Sequence, residues 1–258
     1  MLALPSHTPS FIVYLLIGIL PATAMRDRDI MGLLGQVAMC MEDQQYVTDI
    51  IKNNLDDYDT SFGGWSSLAR KTAEKYSLPD PGLYIRHPWI SRNWRRHCKS
   101  IIIDSWDTKL REEADTKDVL ELINISTLTT ANPHNIYKHA GLDSNNVRKC
   151  TAQIWFLLGF YHTNQLWHKM GKSKSSLCSS CRCEDSVLHM ILHCQQFSEI
   201  RQKFVSDLSE QNTNINNYSD NEKLMMVTFL DPESPSLPCE ISKEWNDLPR
   251  VYQLCRDF

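Results

Sequence analysis

Between Cys178 and Cys194 the chain reads C-S-S-C-R-C-E-D-S-V-L-H-M-I-L-H-C, which places Cys178, Cys181, His189 and Cys194 in the spacing C-x2-C-x7-H-x4-C. Two cysteines across a two-residue turn aim both sulfurs at one point. A histidine and a further cysteine downstream can close a tetrahedron around it. Cysteine sulfur and imidazole nitrogen are the donors that Zn2+ takes in structural sites, and four protein donors leave no position for a reactive water. One structural Zn2+ is therefore expected.

The pattern leaves choices open. A C-x-x-C pair alone also suits redox chemistry, but that reading wants a strand before the pair in a βαβ context. What precedes it here is a polar linker, residues 171–177. His189 and His193 are four apart and would share a helix face, so H-x3-H suits zinc as well. His193 and Cys194 are neighbours, which a helix points about 100° apart, so one of the two is a bystander. Cys183 reads as a spare thiol.

With 258 residues the chain can bury a substantial core in one large or two small domains. A hydrophobic content of 42% and a charged content of 22% are globular values. The formal net charge of -4 argues against a wholly basic nucleic-acid binder but allows a local basic face. Only 9 glycines disfavour a turn-rich all-β fold. Of the cysteines, Cys40, Cys98, Cys150, Cys239 and Cys255 lie far apart and the rest crowd into the knuckle. A secreted disulfide framework would spread them more evenly, so an intracellular, reducing compartment (nucleus or cytoplasm) is expected.

One stretch points the other way. Residues 11–20 are an apolar run followed by Pro21-Ala-Thr-Ala24, the look of a signal peptide with its cleavage site. Residues 1–10 carry no Lys or Arg, however, and the run is too short to span a bilayer. A buried core helix is the preferred reading, and no membrane association is expected. The sequons at Asn124 and Asn217 matter only if the chain is secreted.

Helical periodicity dominates. Ile30, Leu33, Leu34, Val37 and Met41 form one stripe, and Tyr46, Val47, Ile50, Ile51 and Leu55 a second. Trp65, Leu68, Ala69, Thr72, Ala73 and Tyr76 form a third, stopped by Pro79 and Pro81. After a loop containing His87-Pro88-Trp89, Ser91 is placed to cap a helix with Trp94, Cys98, Ile101, Ile102 and Leu110 inward. Residues 118–128 suit a short strand or an extended crossing. Asp143 and Ser144 lead into the most apolar helix, with Cys150, Ile154, Trp155, Leu158 and Tyr161 inward and Gly171 as its C-cap. Asp185 or Ser186 opens a helix expected to run through Leu208. Residues 231–238 read as an extended Pro-rich linker.

The predicted fold is mainly α: a helical bundle, then a small zinc-knuckle module, then a helical tail. The expected segments are residues 1–81 (N-terminal helical region), 82–174 (helical connector), 175–212 (zinc module and following helix) and 213–258 (acidic tail with a Pro-rich linker).

Charge is unevenly spread. Between residues 138 and 174, Lys138, Arg148, Lys149, Lys169, Lys172 and Lys174 face only Asp143. The last three lead directly into the metal motif, which fits contact with phosphates. Arg148, Lys149, Lys169, Lys172 and Lys174 are the candidate nucleic-acid contacts, with weak binding of RNA or single-stranded DNA. If one helix joins them, residues 148 and 169 stand roughly 30 Å apart. A second basic stretch, Arg86, Arg92, Arg95, Arg96 and Lys99, reads as a solvated helix face with Trp94 in the core.

No nucleotide-binding loop, nucleophile elbow or H-E-x-x-H motif is present. Asp56-Asp57 invites comparison with paired polymerase carboxylates, but the residue two before the pair is Asn54 rather than an aromatic. No catalytic residue and no small-molecule substrate are expected.

Several stretches, taken in order, carry a family resemblance. They are residues 7–21 (HTPSFIVYLLIGILP), 61–65 (SFGGW), 76–81 (YSLPDP) with His87-Pro88-Trp89, 140–143 (AGLD) with Val147-Arg148-Lys149, and the knuckle with Glu184-Asp185 before His189. Together they resemble the C-terminal part of a non-LTR (LINE-type) retrotransposon reverse transcriptase. The resemblance implies a thumb- and wrist-like helical region and a zinc module whose ligands are Cys, Cys, His, Cys, which favours Cys194 over His193. The family usually carries glycine after the second cysteine, where this chain has Arg182 followed by an extra thiol. It also implies that the polymerase palm with its aspartates belongs before this sequence. Such regions help to hold template RNA and target DNA during target-primed reverse transcription, and without the palm no polymerisation is expected. The expected function is a non-catalytic, zinc-stabilised nucleic-acid-binding fragment. The alternatives are an inert or protein-interaction helical scaffold, and a secreted protein using residues 1–24 as a signal.

Overall fold

Apolar residues repeating every three or four positions put one face of a helix against a neighbour, and the chain uses that device throughout. The computed structural model describes residues 8–40, 46, 49–50, 53, 64–86, 91–115, 122–141, 143–212, 221–238, 241 and 245–258. Asp56-Asp57, His87-Pro88-Trp89, Asn217 and Cys239 lie outside these residues. The described residues are mostly helical and contain no β-strand, only isolated bridges, so the all-α expectation holds. Two units form: Gly18–Glu112 with Thr129–Asn132, and Met1–Ile17 with Glu113–Leu128 and Pro133–Phe258.

Helix α1 (Ser10–Ile17) opens the second of these units, with Phe11, Ile12, Leu15 and Leu16 buried. The Leu16 carbonyl accepts from the His134 backbone N–H at 2.8 Å. The apolar run of residues 11–20 thus includes a short buried helix. No single helix among the described residues is long and apolar enough to cross a membrane. Ser10–Ile17 and Ala22–Ala38 meet that test only when taken together across a break.

In the Gly18–Glu112 unit, α2 (Ala22–Cys40) packs against α3 (Trp65–Lys75). The buried face of α2 is Ala24, Asp27, Met31, Leu34 and Ala38, in alternating steps of three and four. The expected stripe is therefore displaced: Leu33 is exposed, and Met31 takes the inward place. Of the stripe expected at residues 46–55, the described Tyr46 and Ile50 are both exposed. After α3, Ser77 adopts φ +52, which lets the Leu78 N–H reach back to the Ala73 carbonyl at 2.8 Å. Pro79 cannot continue the helix. Pro81 opens α4 (Pro81–Arg86), whose Leu83 N–H is capped by the Asp80 carboxylate. Helix α5 (Ser91–Asp115) contributes Trp94, Cys98 and Ile102 to the core. Trp94 stacks on Tyr84 at 3.9 Å and donates its Nε1–H to the Met31 carbonyl at 2.9 Å. Asp107, also on α5, accepts from the backbone N–H and hydroxyl of Thr130 and from the hydroxyl of Thr129.

The other unit corrects several expectations. Residues 125–127 form a short 3-10 turn instead of a strand, with the Asn124 side chain accepting from the Ser126 N–H. After α6 (Asn135–Lys138), α7 (Ser144–Leu157) starts at the Asp143 cap, as its sequence suggests. It does not reach Gly171. Gly159 takes φ +67, and the Phe160 N–H turns back to the Trp155 carbonyl, closing the helix thirteen residues early. Thr163 then caps a separate helix, α8 (Asn164–Lys169), and Gly171 at φ +69 ends it. Residues 148 and 169 are therefore not joined by one continuous helix. The knuckle follows, then α9 (Ser198–Gln211), α10 (Glu222–Leu230) and α11 (Leu248–Asp257).

Helix α7 packs on α10 and α11, and α9 packs on α11. Met225 to Leu230 are all buried, which suits a central helix with no solvent face. Phe204 of α9 meets Phe229 edge-on at 4.8 Å and stacks on Phe258 at 4.4 Å. Residues 231–238, expected as an extended linker, instead make successive turns from Asp231 to Ser234 to Leu237, and Leu237 is buried with Val227 and Ile241.

Candidate metal centre

The knuckle begins where the Leu177–Glu184 bridge pinches the chain into a loop. Inside it the Cys178 N–H donates to the Cys183 carbonyl at 2.8 Å and the Arg182 N–H to the Cys178 carbonyl at 3.0 Å. The turn requires φ +61 at Arg182, a conformation that costs an ordinary L-residue but not glycine. This is the position at which the sequence departs from the resembled pattern. The arginine adopts the turn nonetheless.

The other half of the centre comes from a π turn, His189–His193. Its bond runs from the Cys194 N–H to the His189 carbonyl, five residues back, at 2.7 Å. The x4 spacing between His189 and Cys194 is the same five-residue step, so the turn brings the imidazole and the thiol to one side. Ser186 caps the turn by accepting from the His189 N–H at 3.0 Å. The helix expected to run from residue 185 to 208 is therefore interrupted at Cys194, which is extended at ψ 124, before α9 begins. Arg201 of α9 donates to the Ile191 and Cys194 carbonyls and fastens the turn to that helix.

As a result, one donor atom each from Cys178, Cys181, His189 and Cys194 lies within 4.8 Å of all the others, a group that could hold a metal ion. The sulfurs of Cys178 and Cys194 stand 3.8 Å apart and those of Cys181 and Cys194 3.9 Å apart, far beyond a disulfide bond of about 2 Å. Cys178, His189 and Cys194 are buried, and Cys181 is half-buried. The Cys181 backbone N–H, with His189, outweighs burial and pulls the Cys178 thiol down to about 7, so its metal-binding thiolate is accessible near neutral pH. Burial pushes the Cys194 thiol up. The Gln195 N–H lies 3.3 Å from the Cys181 sulfur.

His193 is not part of this group. It is exposed, and its Nε2 lies 2.9 Å from the Glu222 carboxylate. Cys183 is exposed but not isolated: its sulfur sits 3.1 Å from His189 Nδ1.

The expected phosphate contacts divide. Lys169, Lys172 and Lys174 are exposed along the end of α8 and the loop into the knuckle. Arg148 and Lys149 sit on the first turns of α7, and Lys149 is paired with Asp257. Sequence reasoning placed Asp185 at a helix start and missed its role, which is to fasten α8 to the knuckle. Its carboxylate accepts from the Asn164 N–H at 2.8 Å, its carbonyl accepts from the Gln165 N–H at 3.3 Å, and its own N–H donates to the Ser176 carbonyl at 2.9 Å. A carboxylate four residues after a two-cysteine turn carries no local signal for that role. Comparison with protein-family models, with curated proteins and with solved structures finds no match.

Proposed function

We propose that the chain is a non-catalytic, zinc-stabilised module that binds RNA or single-stranded DNA, akin to the C-terminal region of a non-LTR retrotransposon reverse transcriptase. Zinc is supported by the donor set and by its spacing. Three thiols and an imidazole are soft to borderline donors, which favour zinc over magnesium or calcium. Sulfurs bound at about 2.3 Å in a tetrahedron stand about 3.8 Å apart, which agrees with the Cys178–Cys194 and Cys181–Cys194 separations of 3.8 and 3.9 Å. Four protein donors leave no open position, so the ion is structural. The free thiols of Cys98, Cys150 and Cys255 favour a reducing compartment, nucleus or cytoplasm.

The observation that carries the nucleic-acid reading is the exposed trio Lys169, Lys172 and Lys174 on a loop fastened to the knuckle. The Lys172 N–H bonds back to the Trp167 carbonyl at 2.8 Å, and the Asn164 side chain donates to the Leu177 carbonyl at 3.1 Å. Folding the knuckle around its ion therefore orders the basic loop as well. From Ser144 to Cys183 the chain contains no Asp or Glu, and the two carboxylates that reach α8 are engaged at its start, Glu184 by the Gln165 side chain and Asp185 by the Asn164 N–H.

Each phosphate neutralised adds about -0.7 to the log–log salt dependence for a single strand. Three lysines give a slope of about -2, with micromolar or weaker affinity at physiological salt. Fluorescence anisotropy of a labelled single strand across a salt series measures this slope. Replacing Lys169, Lys172 and Lys174 by Ala should remove about two units of it. No salt-sensitive binding at low ionic strength would reject the reading and leave a protein-interaction scaffold or an inert remnant.

A further inference from the structure

Trp167 is 41% exposed on α8, at the edge of the same basic loop. Among the described tryptophans Trp94 is fully buried, four are half-buried, and Trp167 alone is exposed. Its backbone is locked in place, because its carbonyl accepts from both the Lys172 and Ser173 N–H groups, at 2.8 and 3.3 Å. The ring is braced from one side: His162 meets it edge-on, at 5.8 Å between centroids, and His162 in turn lies 5.3 Å from Trp155. Met170 and Leu177, 42% and 46% exposed, add further apolar surface from the loop that follows Trp167. Lys169, Lys172, Lys174 and Arg182 are the cations of this stretch and all are exposed, against one exposed acid, Glu184, whose carboxylate accepts from the Gln165 side chain.

An exposed aromatic surface on a fixed backbone, with cations around it, fits a polyanion that carries flat rings. A duplex offers charge, but its base faces are already stacked. A single strand offers both charge and open base faces, and base–aromatic stacking tolerates any sequence. We infer that Trp167 is a stacking platform for an unpaired base of a single-stranded nucleic acid whose phosphates meet Lys169, Lys172 and Lys174. This inference rests on the nucleic-acid reading above and assigns the part of affinity that charge does not supply.

The test uses the full zinc-loaded chain and two labelled probes of equal length: an oligothymidylate, and a strand of abasic deoxyribose phosphates. The probes carry the same charge and differ only in their bases. Wild type should bind the base-bearing strand about 5- to 150-fold more tightly, the range of one stacked base. Trp167→Ala should abolish that preference while leaving the salt slope and zinc content unchanged, and Trp167→Phe should keep most of it. The lysine triple variant should keep the preference and lose slope. Equal affinity of wild type for both probes, or an unchanged preference in Trp167→Ala, overturns the platform while leaving charge-driven binding intact. Absence of binding to either probe rejects the nucleic-acid reading itself. Trp167-dependent binding of polyglutamate with no preference between the strands would assign the patch to an acidic protein instead, and also overturns the inference.

Discussion

Removing the Asp185 carboxylate isolates the joint between the knuckle and α8. In Asp185→Ala the Oδ2 acceptor for the Asn164 N–H disappears, while the backbone bonds to Ser176 and from Gln165 can remain. The lost bond is charge-assisted and sits on the first turn of a helix. A cap of this kind contributes about 0.5–2 kcal/mol, and a carboxylate near the helix N-terminus about 0.3–1 kcal/mol. These overlap because one group supplies both. Asn164 is half-buried, so water replaces the acceptor only in part. The expected cost is about 1–2 kcal/mol of local stability, a factor of about 5–30 in the opening equilibrium. Native-state hydrogen exchange on the zinc-loaded protein reads this directly. The amides of Asn164 to Trp167 should exchange faster by that factor, those of α9 should not change, and Asp185→Asn should fall between. Zinc content should be unchanged, because Asp185 is not among the grouped donors. Unchanged exchange at residues 164–167 would refute the joint, and loss of zinc would mean that the joint supports the metal site itself.

Asp27 should control the acid stability of the α2–α3 pair. Burial pushes its carboxyl up, but hydrogen bonds from Lys75 and Tyr76 and the Lys75 charge outweigh burial and hold it below the ordinary value. A carboxyl lowered in the folded state stabilises above its unfolded pKa of about 4 and loses that contribution as pH falls through the folded value. Asp27→Asn should therefore be less stable than wild type at neutral pH and converge with it in strong acid, as read by exchange of α2 and α3 amides; a pH-independent gap would contradict this. Arg182→Gly relieves a left-handed turn that costs roughly 1–2 kcal/mol, partly offset by the extra freedom of glycine when unfolded. Competition with a chelator should show zinc held up to about fivefold more tightly, and weaker retention would mean that the turn is not strained. Alkylation of the zinc-loaded chain followed by mass spectrometry should modify the exposed Cys183 before the other described cysteines, because the remaining knuckle thiols are held on the ion. Cys98, whose thiol burial pushes up to about 12, and the buried Cys150 and Cys255 should react only on unfolding. Labelling of Cys98 in the native protein would show that its core is open.

The helical class was readable because period-3.6 stripes such as Trp94, Cys98 and Ile102 survive into the core intact. Their phase was less readable: Leu33 and Met31 are both apolar, and packing against α3 decides which one turns inward. Helix ends were missed where a single glycine outweighed the pattern. Val147 to Tyr161 and onward reads as one stripe, yet Gly159 can take a left-handed φ that ends the helix, and Thr163 can cap the next. The donors were visible from their spacing. The π turn that unites His189 with Cys194 was also latent in the five-residue step, but a helical reading prefers the four-residue step to His193. Charge misled most at the C-terminus. Residues 213–258 read as an acidic tail with a Pro-rich linker, yet Leu237, Val251, Tyr252 and Cys255 are core residues, so deleting them would expose α7 and α10.

X-ray absorption at the zinc edge of the purified chain decides whether Cys178, Cys181, His189 and Cys194 hold the ion. One zinc per chain is expected, with three sulfurs at about 2.3 Å and one nitrogen at about 2.0 Å, unchanged in His193→Ala. Removing the ion should melt at least residues 175–200, since binding and folding of such a site are coupled. A shell of two sulfurs and two nitrogens that loses a nitrogen in His193→Ala, or a chain that folds its knuckle without zinc, would contradict this ligand set.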